Sequence, residues 1–197
     1  MQRIGVFGAA FNPPTLGHRD VLEQVRSHFD EILLVPSVSH AFGKNMISLE
    51  HRLAMLTLFI DDLAFKTKIT LSDIEQVLLS QLKTKGPIYT YDVLTALTQQ
   101  YQVRNKNVTI HFILGPDNSN PAIWHKFYRY QDIEKQWPLF VAKENLAIHS
   151  TQAREICASY ADNPSLRLQK LMMLVGEKIA YYIEQHQLYR EREGRHE

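Results

Sequence analysis

A short apolar strand that turns through small residues into an amphipathic helix constrains this chain more than any other feature. Arg3-Ile4-Gly5-Val6-Phe7 has the length and apolarity of a buried parallel strand. The stretch Gly8-Ala9-Ala10-Phe11-Asn12-Pro13-Pro14-Thr15-Leu16-Gly17-His18 follows it. Val21, Leu22, Val25 and Phe29 then recur at helical spacing, with Arg19, Asp20, Glu23 and Arg26 on the other side. Such a turn brings unpaired backbone N–H groups and the positive end of a helix dipole to the strand's C-terminal edge, which suits a phosphate. Thr15 and His18 share one face of the first helical turn, and both can donate hydrogen bonds to an anion. A plain connection would explain the small residues alone. Thr15 and Gly17-His18 in this place favour anion binding.

The same alternation of apolar runs and amphipathic segments continues along the chain. Strands are expected at 31–36, 68–71, 108–114 and 138–142. A helix is expected over 49–61, capped by Ser48, with Leu53, Met55, Leu56 and Phe59 inward. Another is expected over 89–100, with Val93, Leu94 and Leu97 inward, and the chain reads as helical from Ser150 onward. The segment 73–85 reads as an irregular or helical connection. The fold class is therefore α/β, an open and mostly parallel sheet with helices on both faces and further helices at the C-terminus. Ligands of such sheets bind at the strands' C-terminal edge, where strand order reverses.

Bulk properties narrow the partners. The length of 197 residues fits one domain over 1–190, with a charged tail over 191–197 expected to fray. A formal net charge of +1 gives no electrostatic reason to expect nucleic acid or a membrane surface. A single cysteine, Cys157, excludes an intrachain disulfide and a cysteine-rich metal site, and fits a reducing compartment. The chain opens on a strand rather than a leader-like segment, and no apolar run approaches the roughly 18 residues of a membrane span. A cytoplasmic protein is expected. Oligomeric state is not fixed by the pattern, and a homo-oligomer stays open.

A second constellation is Ile148-His149-Ser150-Thr151-Gln152-Ala153-Arg154. Ser150 or Thr151 is suited to cap a helix, with Arg154 along the same face. Hydroxyls, free N–H groups and a guanidinium at a helix start could grip a polyphosphate, although an ordinary capped helix with a surface arginine explains the same residues. After the expected fourth strand come Gly115, which would let a ligand approach the backbone, and Asp117, a possible acceptor for ribose hydroxyls. Trp124 offers either a flat stacking face or core packing. Thr90 with Asp92 reads equally as a helix start and as part of a site.

These segments together resemble one family. Gly8-x-x-Phe11-x-Pro13-x-Thr15-x-Gly17-His18 resembles the (T/H)xGH signature of the nucleotidyltransferases, and no dinucleotide G-x-G-x-x-G is present. Ile148-His149-Ser150-Thr151-x-x-Arg154 is similar to that group's I-S-S-T-x-x-R segment, with His149 in place of serine. Glu50-His51-Arg52-x-x-Met55-Leu56, Tyr89-Thr90-x-Asp92 and Gly115-x-Asp117…Trp124 resemble segments of the nicotinate-nucleotide adenylyltransferases. The resemblance runs to Leu188-Tyr189 and implies a Rossmann-like sheet of nucleotidyltransferase type. It implies transfer of AMP from ATP to nicotinate mononucleotide, with Mg²⁺ carried by ATP and no protein metal site. Thr15 and His18 would then stand at the reacting phosphate. Gly8, Ala9, Phe11, Gly17, Gly115, Asp117, Ile148, Ser150, Thr151 and Arg154 would surround ATP. Lys44, Tyr89, Thr90 and Trp124 would surround the pyridine mononucleotide.

Two departures stand out: the loop 37–44 lacks a proline-rich run, and Ala142 to Ala147 is short. A related transferase using nicotinamide mononucleotide or phosphopantetheine, and a nucleotide-binding protein without turnover, remain as alternatives. An aminoacyl-tRNA synthetase fragment is disfavoured, because no second lysine signature and no tRNA-scale basic surface accompany the Gly-His pair.

Overall fold

The computed structural model describes residues 1–38, 46–81, 86–104, 107–160 and 162–190. Its elements are β1 (Gln2–Ala9), α1 (Leu16–Val25), β2 (Glu31–Pro36), α2 (Leu49–Asp61), β3 (Lys68–Leu71), α3 (Ile74–Gln81), α4 (Thr90–Val103) and β4 (Val108–Leu114). They continue with α5 (Pro116–Ser119), α6 (Pro121–Trp124), α7 (Tyr130–Gln136), β5 (Leu139–Val141), α8 (Ser150–Ser159), α9 (Pro164–Val175) and α10 (Glu177–Gln185). The chain groups into two compact units. The first holds Met1–Ala10, Val21–Lys44 and Phe65–Lys143, and the second holds Phe11–Asp20, Asn45–Ala64 and Glu144–Glu197.

The first unit is built on a five-stranded sheet in the order β3-β2-β1-β4-β5. Every neighbouring pair is parallel, with Val6 opposite Leu33 on one side and Phe112 on the other. Winding runs from β1 out to β3 and then returns to β4 and β5, so its crossovers lie on opposite faces and strand order reverses beside β1. Alternate residues Ile4, Val6, Leu33, Val35, Ile110 and Phe112 form one buried face. Val93, Leu94 and Leu97 of α4, Ile74 of α3 and Ile133 of α7 close it. On the other face Gly5 leaves the space that Phe29 fills: a Cβ there would lie 2.7 Å from the Phe29 ring. The Phe29 ring also meets His111 edge-on.

The second unit is helical after the opening turn. Ala153 and Cys157 of α8, Leu171 and Val175 of α9, and Ile179, Ala180 and Ile183 of α10 are buried. Arg167 is 1% exposed yet satisfied. Its Nε and Nη2 donate to the two oxygens of Glu184 at 2.6 and 2.7 Å, and its Nη1 donates to the Tyr160 carbonyl. That fork-to-fork pair ties α9 to α10 and to the end of α8. In α2 the expected inward set changes by one residue. Arg52 is buried where Leu53 is only partly so, because its Nε finds the Ile47 carbonyl at 3.2 Å. Among the described residues, no helix is long and apolar enough to cross a membrane. The tail 191–197 lies outside the described residues.

Candidate active site

The second unit gathers the two phosphate-type segments of the sequence into one cradle. Leu16 begins α1, so Gly17 and His18 lie in its first turn. The Thr15 N–H donates to His18 Nδ1 at 3.0 Å, and the Thr15 hydroxyl lies 2.9 Å from the same nitrogen. With Nδ1 accepting, the ring proton belongs on Nε2. Burial first, and the charge of His149 second, lower the His18 pKa from 6.5 to about 4. His18 is therefore neutral at physiological pH, a hydrogen-bond donor rather than a cation. Phe11 is fully buried and packs its ring 4.9 Å from the His18 ring, supporting it from behind. The Phe11 ring is thus a strut for His18.

Gly17 has a strict steric reason to be glycine. A Cβ on it would collide with the Ile148 carbonyl, which lies against the start of α1. Immediately after Ile148 comes α8, whose cap differs from the expected one. Helix α8 starts at Ser150 and its N-cap is His149, not Ser150 or Thr151. The reason is that Ser150 Oγ is engaged elsewhere, donating to the Pro13 carbonyl at 2.8 Å. The His149 N–H is satisfied by Gln152 Oε1, and the His149 ring pairs with Glu144 at 3.1 Å. Arg154 Nη1 donates to the Asn12 carbonyl at 2.9 Å and Nη2 to Thr151 Oγ1 at 3.2 Å. The α8 start, the His18 imidazole, the Thr151 hydroxyl and the Arg154 guanidinium thus belong to one unit, and groups of these kinds can serve an anion.

The remaining expected residues belong to the first unit. Gly8 and Ala9 end β1, paired with Val35 and Pro36 of β2. Gly115 follows β4, and Asp117 stands exposed in the first turn of α5. A Cβ at Gly8 or Gly115 would make only ordinary contact, 3.8 Å from the Val35 carbonyl or 3.6 Å from Phe7. Neither glycine is demanded by its protein neighbours. Helix α4 starts at Thr90, with Tyr89 as its N-cap. The Tyr89 N–H, expected to face an acceptor, is instead taken by Asp92 Oδ2 at 3.2 Å.

Trp124 is also corrected. It is 5% exposed, packs against Phe112 and Phe127, and donates its indole N–H to Glu134 at 2.8 Å. Its large ring is core material, not an open stacking face. An aromatic surface lies close by in sequence: Tyr128 is 50% exposed, with its ring 4.8 Å from that of Tyr89. Lys44 lies outside the described residues. Sequence reasoning overlooked Asn12, buried inside the opening stretch, and Tyr189, whose hydroxyl reaches it at 3.0 Å. A buried polar residue within an anion-binding turn was the available signal for Asn12.

A parallel sheet that reverses at β1, followed directly by a Gly-His helix start, defines a protein of the nucleotidyltransferase class. A family model described as cytidylyltransferase-like matches residues 6–156. A Bacillus mycoides (strain KBAB4) protein named as a nicotinate-nucleotide adenylyltransferase is 28% identical over 205 residues, covering 96% of this chain and 99% of that relative. A solved structure from Vibrio parahaemolyticus, also named as a nicotinate-nucleotide adenylyltransferase, is 30% identical with a TM-score of 0.75, covering 98% of each chain. The Plasmodium falciparum nicotinic acid mononucleotide adenylyltransferase complexed with NaAD shares the fold, at 20% identity and a TM-score of 0.71 over 96% of this chain and 98% of that one. The chain belongs to the cytidylyltransferase-like family and, within it, to the nicotinate-nucleotide adenylyltransferases.

Proposed function

We propose that this chain transfers AMP from Mg-ATP to nicotinate mononucleotide, releasing pyrophosphate and deamido-NAD. The observation that carries the reading is the gathering of the Thr15–His18 pair, the Arg154 guanidinium and the N-terminus of α8 in one compact unit, with Gly17 packed onto the Ile148 carbonyl that precedes α8. The acceptor's phosphate oxygen attacks the α-phosphorus of ATP in line, a P–O bond forms, and the bond to the β-phosphate oxygen breaks. The electron pair leaves on pyrophosphate. No protein nucleophile is needed, because the attacking phosphate is already an anion. Catalysis is then alignment and stabilisation of charge on the five-coordinate transition state. His18 donates to a phosphoryl oxygen without bringing a proton that the attacking anion could capture. Thr15 orients the ring. Thr151 and Arg154, with the backbone N–H groups that begin α8 at Ser150, hold the departing β- and γ-phosphates.

The cradle's donors are imidazole, hydroxyl and guanidinium, a set that fits anionic oxygens. Mg²⁺ would arrive with ATP and supply positive charge to its phosphates, which Thr151 and Arg154 would hold. By resemblance to the family, Gly8, Ala9, Gly115 and Asp117 are assigned to the nucleoside, and Lys44, Tyr89 and Thr90 to the acceptor. The buried free Cys157 suits a reducing cytoplasm. Pyrophosphate release is to be measured with nicotinate mononucleotide, nicotinamide mononucleotide and phosphopantetheine as separate acceptors. Turnover is expected to be highest with nicotinate mononucleotide, and a clear preference for either other acceptor would overturn the assignment.

A further inference from the structure

Beyond α10 the chain folds back in a conformation that needs outside support. Gln187 and Tyr189 both have left-handed backbones, with φ of 50° and 60°. Such angles are strained for residues other than glycine and persist only where neighbouring contacts hold them. Here they are held on both sides of Tyr189. The Leu188 N–H donates to the Ile183 carbonyl at 3.0 Å and its side chain is buried, while Arg190 reaches Glu184 at 3.3 Å. What this turn delivers is the Tyr189 hydroxyl, which donates to Asn12 Oδ1 at 3.0 Å. The same Asn12 oxygen accepts from the Ile47 N–H at 3.3 Å, so the carboxamide is fixed from two directions. The main-chain carbonyl of Asn12 in turn receives Arg154 Nη1 at 2.9 Å.

We propose that Tyr189 is a positioning residue for the phosphate cradle. Through Asn12 it fixes the carbonyl that aims the Arg154 guanidinium. This rests on the reading of Arg154 as a triphosphate group. Tyr189 touches no reacting atom in this arrangement, and its phenol adds no charge that would oppose a polyphosphate. Its effect should fall on ATP and pyrophosphate and spare the pyridine nucleotide.

The test uses the full chain carrying Tyr189→Phe, Asn12→Ala, both together, and Arg154→Lys. ATP binding is measured by calorimetry, both KM values by pyrophosphate release, and folding by thermal melting. Tyr189→Phe is expected to weaken ATP binding and raise the ATP KM about three- to ten-fold, the loss of one buried hydrogen bond, with the acceptor KM unchanged. On the Asn12→Ala background it is expected to add nothing, because the route through Asn12 is already cut. An unchanged ATP affinity, a full additional loss in the double variant, or ATP and acceptor constants rising together with a lower melting temperature would each overturn the proposal. Arg154→Lys separates the two readings. If it leaves ATP binding untouched, the phosphate role of Arg154 fails and this proposal with it. If it weakens ATP and Tyr189→Phe does not, the positioning role alone is wrong.

Discussion

His18 gives the site a definite pH signature. Its pKa is lowered to about 4 by burial and by the charge of His149, whereas in an unfolded chain it titrates near 6.5. Below 6.5 the unfolded chain takes up a proton that the native ring refuses. The contribution of His18 to stability is thus complete above 6.5 and is lost as pH falls towards 4. The urea midpoint is expected to drop between pH 7 and pH 5, with a shallower drop in His18→Gln. In the NMR titration of the free protein, the His18 ring signal should remain unprotonated at pH 5. A titration near 6.5 would remove the argument for a neutral donor. His18→Ala is expected to lower kcat by roughly 10²–10³, the usual effect of deleting one donor to the transition state. Unchanged turnover in folded protein would exclude His18 from the reaction. At this scale the sequence was most legible where chemistry is local: Thr15 and His18 meet because three residues of one helical turn bring them together. It was least legible for Trp124, whose fate depends on Phe112 of β4 and Glu134 of α7 arriving from other elements.

Elements are placed in this chain by close backbone approaches as much as by side-chain burial. Gly17 shows it most directly, since the start of α1 meets the Ile148 carbonyl at a separation that leaves no room for a methyl group. Gly17→Ala must push Ile148, and the α8 start behind it, away from His18. Overpacking of this kind typically destabilises by about 1–3 kcal/mol. The variant is expected to melt lower and to lose more ATP affinity than stability, because the two halves of the cradle separate. A variant with wild-type ATP affinity would show that the contact is only packing. The strand over 31–36 was readable because it is buried throughout and nearly continuous in apolar residues, whereas the edge strand over 68–71 alternates Lys68 and Thr70 with Ile69 and Leu71. Cap positions were not. Ser150 looked like a cap because serine prefers that place, but a partner far away in sequence, the Pro13 carbonyl, claims its hydroxyl and moves the cap to His149. Arg52 entered the buried face of α2 through a nearer partner, the Ile47 carbonyl just before the helix.

The chain as a whole passes between its two compact units repeatedly, so that neither unit is a continuous segment. A segment that cannot be excised is a poor candidate for independent folding, and we propose that residues 1–190 behave as one cooperative domain. The distribution of tryptophan makes this measurable. Both tryptophans, Trp124 and Trp137, lie in the first unit and are buried there. Their fluorescence therefore reports on the sheet unit alone, whereas far-ultraviolet circular dichroism also sees α8, α9 and α10. Leu171 of α9 is fully buried in the second unit. Leu171→Ala removes its side chain and leaves a cavity, a change that typically destabilises by about 2–5 kcal/mol. For a chain of this size that corresponds to a fall in Tm of roughly 5–15 °C. If the domain is cooperative, the tryptophan transition moves down by the same amount as the circular dichroism transition, although the substitution lies in the other unit. An unmoved tryptophan transition beside a new early step in circular dichroism would instead establish two independently folding parts. The cradle lies wholly in the second unit, so ATP binding would then fail with that early step while the sheet was still intact.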